Sequence, residues 1–170
     1  MSLTIPSTTQ VILFGAGDFP KDESLAGIPA AQSNINKLKH LLQQGNIIGI
    51  DGNNIISLVN IEDNVQIMED ASAACERAKE ALLVYITGHI ITRKGHLYLA
   101  TPHSSRKKIH INGIALDELM DIISETEAES KIFIFDVLYS DTNDEATDGS
   151  VIEDALKYYE SAYSGTYILS

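Results

Sequence analysis

The sequence predicts an α/β fold with a mostly parallel sheet and helices on both of its faces. Two observations predict it. Short, continuously apolar runs at residues 11–14, 81–86 and 132–135 read as strands covered on both sides. Stretches with apolar residues at helical spacing lie between them. Strands alternating with helices imply parallel pairing through crossover connections.

Val11-Ile12-Leu13-Phe14 is the first strand, and Gly15-Ala16-Gly17 turns the chain after it. Ile28, Ala31, Ile35, Leu38, Leu41 and Leu42 then mark a helix that Gly45 stops. Residues 54–59 form the second strand. Glu62 and Asp63 stand where a helix start favours acids, and Val65, Met68, Ala71, Cys75 and Ala78 make one face of that helix. Residues 81–86 form the third strand, with Thr87-Gly88-His89 at its end. Residues 96–100 read as part of a hairpin. Leu116, Leu119, Met120 and Ile123 mark the third helix, and residues 132–135 the fourth strand. Val151, Ala155, Leu156 and Tyr159 mark a fourth helix, and Thr166-Tyr167-Ile168-Leu169 a last strand. No internal repeat interrupts this order, so residues 1–170 are expected to form a single domain.

Composition narrows the function. A net charge of −12 opposes nucleic-acid binding, which needs cations to release counterions, and it repels anionic membranes. No apolar run approaches the ~18 residues that cross a bilayer. The N-terminus lacks a basic start and an apolar signal core. One cysteine, Cys75, excludes an intrachain disulfide and suits a reducing compartment. These features predict a cytoplasmic protein. No cofactor and no metal is expected.

The residues that carry chemistry are few. Gly15-Ala16-Gly17-Asp18-Phe19-Pro20 begins like a dinucleotide-binding turn, but Pro20 replaces the third glycine and no helix starts at once. A tight strand-to-loop turn that needs glycine is the expected reading. His89 follows the third strand at the carboxyl end, where open α/β sheets place their sites. Asp136 follows the fourth strand, and neighbouring strands bring the two together. Arg106-Lys107-Lys108 reads as a solvated loop. Residues 141–154 hold six acids and no base, and read as a mobile acidic loop.

This order of elements resembles the caspase-like clan of cysteine peptidases, in its bacterial caspase and metacaspase branch. Residues 12–20 resemble the family's opening strand and loop, and residues 25–31 its entry to the first helix. Leu83-Val84-Tyr85-Ile86-Thr87-Gly88-His89 resembles the segment carrying the catalytic histidine, and residues 95–101 the hairpin after it. Phe133-Ile134-Phe135-Asp136-Val137-Leu138-Tyr139-Ser140 resembles the nucleophile strand. His89 and Leu138 are 49 residues apart, close to the ~50 of the caspase spacing.

The resemblance implies a caspase-like three-layer α/β/α sandwich of the large-subunit type, with the small-subunit end truncated or absent. It makes His89 the dyad histidine and puts Leu138 at the nucleophile position. Asp136 becomes a selector of basic side chains, with a strand-end capping aspartate as the equal alternative, and Gly88 a second partner-binding position. Ile90 and Asp141 replace two glycines of the family pattern. Leucine cannot attack a carbonyl, and Cys75, on an apolar helix face, is expected to be inert. Ser140 has no evident activating base. The resemblance therefore implies an inactive domain that binds protein, in bacterial signalling or defence. Its last strand, 166–169, is expected to be an open edge covered by a second copy, by a partner chain or by residues outside the given sequence. A peptidase with unusual chemistry around His89, and a small-ligand or nucleotide-binding domain using the 15–20 loop, stay as alternatives.

Overall fold

The computed structural model describes residues 8–141 and 150–170. Its strands are β1 (Gln10–Gly15), β2 (Ile55–Val59), β3 (Ala81–Arg93), β4 (His96–Leu99), β5 (Ile114–Ala115), β6 (Ser130–Asp141) and β7 (Thr166–Leu169). Its helices are α1 (Ala30–Gln43), α2 (Asn64–Arg77), α3 (Ile109–Asn112), α4 (Leu116–Ser124) and α5 (Ser150–Ala162). The predicted α/β architecture with a mostly parallel sheet is what the chain adopts.

Five strands run parallel in the order β2-β1-β3-β6-β7. β3 is the spine. On one side it pairs with β6 over its whole length, from Ala81↔Ser130 to Thr92↔Asp141. On the other side it pairs first with β1, ending at Gly15↔Thr87, and then with antiparallel β4, from Ile90↔Leu99 to Arg93↔His96. The change of neighbour falls between Thr87 and Ile90, and Gly88 and His89 occupy it. The hairpin turns through Lys94 and Gly95, both at positive φ, the pattern of a two-residue type I′ turn.

Alternation along the strands sorts the core into two layers. Val11, Leu13 and Tyr85 face α1 through Ile35 and Leu42. Ile12, Phe14, Val84, Ile86, Phe133 and Phe135 face α2, α4 and α5, through Ile67, Ala71, Met120, Ile123, Ile152 and Leu156. Asp63 caps α2, accepting from the N–H groups of Val65 at 2.9 Å and Gln66 at 3.3 Å, as the acidic start predicted. Tyr159 and Tyr163 of α5 donate to Asp117 and Asp121 of α4, so two i,i+4 pairs zip the helices together.

Several expectations need correcting. β3 runs on to Arg93 and β6 to Asp141, because Ile90-Ile91-Thr92 continues the β-branched run through Gly88 and His89. Val65 and Leu41 are exposed, and Ile67 and Ala74 take the buried face of α2 instead. Residues 106–108 form a short 3₁₀ turn leading into α3, with the Arg106 N–H donating to Asp22 Oδ2 at 2.7 Å. The acidic stretch ends sooner than expected. α5 starts at Ser150, so Glu153 and Asp154 lie exposed in its first turns, where the helix dipole favours acids, while Ile152, Leu156 and Tyr159 are buried. Residues 142–149 of that stretch lie outside the described residues.

Candidate functional site

His89 lies within β3, not beyond its end, but at the level where β1 stops. There the loop after β1 folds over the sheet. The His89 ring is 6 % exposed. Its Nε2 lies 2.8 Å from the Ala26 carbonyl, which can only accept, so Nε2 carries the proton. Phe19 packs edge-to-face on the ring, with centroids 4.9 Å apart. Nδ1 is buried with no hydrogen-bond partner. One ring nitrogen is thus held by the fold, and the other is left unsatisfied in the interior.

The residue opposite is Leu138, the register partner of His89 on β6. It is 52 % exposed. The two positions that the sequence brought together are therefore direct neighbours across a parallel pair, one sheltered and the other open. Gly88, beside His89, has φ +153°, and a Cβ there would lie 3.2 Å from the Ala16 carbonyl oxygen. This close approach of the β1 loop requires glycine. Ile90 is fully buried and paired to Leu99 on one side and Tyr139 on the other, so its N–H faces a neighbouring strand and not an open pocket.

Asp136 pairs with Thr87 and is exposed. It accepts from the Tyr85 hydroxyl at 2.8 Å. Burial, and then this carboxylate, push the Tyr85 hydroxyl up to about 12. Tyr85 thus stays protonated and fixes one oxygen of Asp136. Sequence reasoning missed this bond, although Tyr85 and Asp136 each stand in a run whose alternation marks their shared face.

Cys75 is buried in α2 against the core, and desolvation followed by Glu125 and Glu76 pushes its thiol up to about 11. It remains a thiol at neutral pH. The side chains of Ser140 and Asp141 lie outside the described residues. Among the described residues, no three His, Cys, Asp or Glu side chains gather as a metal site needs, and no helix is long and apolar enough to cross a membrane.

The Gly15–Pro20 turn is occupied by its own fold. Asn60, at φ 50°, accepts from the N–H groups of Gly17 at 2.8 Å and Asp18 at 3.3 Å. Those are the donors that a pyrophosphate would need. A Cβ on Gly17 would lie 2.5 Å from the Ile28 carbonyl oxygen, so that glycine serves the approach to α1. α1 itself begins only at Ala30.

Sheet order, crossovers and hairpin define a caspase-like α/β sandwich. Among solved structures, the chain is similar to the crystal structure of caspase-1 from Spodoptera frugiperda, with a TM-score of 0.54, 16% identity and 76% of this chain covered. It is also similar to a structure of pro-sf-caspase-1, with a TM-score of 0.51, 16% identity and 75% covered. The chain spans 47% and 44% of those two proteins, less than half of each. No protein-family model and no curated protein sequence matches it. At this identity the likeness establishes the fold.

Proposed function

We propose that this chain is a catalytically inactive caspase-like domain that acts by binding protein. One observation carries the reading: an oriented, buried His89 faces Leu138 across the β3–β6 pair. Thiolate chemistry needs a sulfur at the position opposite the histidine. Loss of a nucleophile costs on the order of a millionfold in rate. Ile90, locked between β4 and β6, also speaks against an oxyanion pocket beside His89. Cys75, protonated and buried, offers no substitute.

What remains at this end of the sheet suits contact. Leu138 and Tyr139 are exposed beside the carboxylate of Asp136, which is chemically able to hold an arginine or lysine side chain. β7 pairs only with β6 among the described residues, and Tyr167 and Leu169 are 59 % and 60 % exposed. We take this C-terminal strand as the protein-binding edge, and cytoplasmic signalling or defence as the setting that the resemblance suggests. The nucleotide-binding alternative loses support because Asn60 already holds the loop donors.

The test is turnover of arginyl, lysyl and aspartyl reporter peptides. The purified chain should release no product. Turnover that His89→Ala abolishes would overturn the reading in favour of unusual peptidase chemistry.

A further inference from the structure

At the tip of the β3–β4 hairpin, Arg93 and Lys94 form no ion pair among the described residues. From Ala81 to Leu116 the sequence holds five Lys or Arg, four His and no Asp or Glu, although the whole chain has 24 acids and 12 bases. Folding gathers part of this stretch. Arg93 faces His96 across the hairpin, and Tyr98 faces Ile91, so Arg93, His96 and Tyr98 share one face. His110 of α3 and Lys94 of the turn close around them, and the five residues line a shallow cavity of about 250 Å³.

Among the described residues, no acidic or aliphatic side chain lines this cavity. Among the described residues Arg93, Lys94 and His110 form no ion pair. The carboxylate of Asp117 on α4, which the Tyr159 hydroxyl holds, lies 3.5 Å from His96 Nδ1. That contact turns the ring so that Nε2 is the atom left for a ligand. The tight turn at Lys94 and Gly95 holds Arg93 and Lys94 beside this face.

We propose that this cavity binds a small phosphate-bearing molecule. The donor set fits that chemistry. Arginine offers a planar fork for two phosphate oxygens, lysine adds a point charge, and imidazole and phenol groups donate single hydrogen bonds. The cavity's size suits one or two phosphate groups, and the chain's net charge of −12 repels an extended polyanion. Arg93 stands four residues beyond His89, about 13 Å along the strand, so the cavity is separate from the caspase-like site. The inference does not depend on whether that site is active.

Inorganic pyrophosphate is the probe, titrated into the full chain at low salt and followed by amide chemical shifts. Saturable shifts are expected at Arg93, Lys94, His96 and His110. The double variant R93Q/K94Q should lose about tenfold or more in affinity. The variant K107Q/K108Q removes the same charge outside the cavity and should bind within about twofold of the parent. Equal loss in both variants would mean screening alone and overturns the site, as does an absence of saturation at about 10 mM. Tighter binding of a glutamate hexapeptide than of pyrophosphate also overturns it, in favour of an acidic protein partner. All of these surface variants should keep the parent's thermal midpoint, and shifts confined to the 15–20 loop would move the ligand elsewhere.

Discussion

The two halves of the sheet are finished differently. β2, β1 and the first part of β3 lie between α1 on one face and α2 on the other, and their inward residues are almost fully buried. Among the described residues, β6 and β7 are covered by α5 on one face only. On the other, Ile132 and Ile134 stand beside their register partners Tyr167 and Leu169, the last two largely exposed. His89 belongs to the first half and Leu138 to the second. The difference explains how a sheltered histidine comes to stand beside an exposed leucine. His89 is held by core packing, by Phe19 and by a carbonyl, all of which the fold needs anyway. Nothing structural constrains an exposed residue at 138 to be a cysteine.

Truncation on each half measures this contrast most strongly. Leu13 is fully buried against α1, and Leu13→Ala should cost about 3 kcal/mol or more in chemical denaturation. Leu169→Ala, on the same face of the other half, should cost no more than about 0.5 kcal/mol. Equal losses would mean that the β6–β7 face is sheltered after all.

The edge itself comes next. The sequence implied a fully open ladder on β7, but the Thr166 N–H donates to the Tyr163 carbonyl and the Ile168 N–H to Glu160 Oε1 at 3.3 Å. The edge is thus partly shielded by a charge from α5, a common guard against strand addition. If β7 pairs with a second copy, Glu160→Ala frees that donor and should raise the dimer fraction in light scattering. Ile168→Pro removes the donor and should leave monomer. A dimer indifferent to both variants would place the contact away from β7.

A smaller effect appears at high pH. Burial, with the Asp136 contact second, raises Tyr85 from about 10 to about 12, and burial raises Cys75 from about 9 to about 11. Both groups favour the neutral form in the fold. Their contribution is complete below their unfolded values and is lost as pH rises through the folded ones. Stability should therefore fall between about pH 9 and 12, and Tyr85→Phe should flatten the upper part of that fall. A profile unchanged by Tyr85→Phe would show that the Tyr85 hydroxyl is neither buried nor held by Asp136 in solution.

Much of this was legible in the residues. Apolar runs located every main strand, and helical spacing located the main helices. The pairing of His89 with Leu138 followed from the Gly-His and Phe-Asp segments because parallel neighbours align their carboxyl ends. Other features escaped for physical reasons. Gly88 and His89 looked like a turn, yet one glycine at φ +153° lets β3 continue under the β1 loop. The guard on Ile168 comes from Glu160, eight residues earlier on α5, and no local pattern marks it. Asn60 closes the glycine turn from 43 residues away, so only the fold reveals why that turn cannot cradle a phosphate.

The most direct test of the central claim asks whether the chain offers any nucleophile beside His89. The folded protein would be incubated with a thiol-reactive arginyl peptide probe and its intact mass recorded. The account predicts no adduct, because position 138 is leucine and Cys75 is buried and protonated. A stoichiometric adduct that His89→Ala eliminates would contradict it.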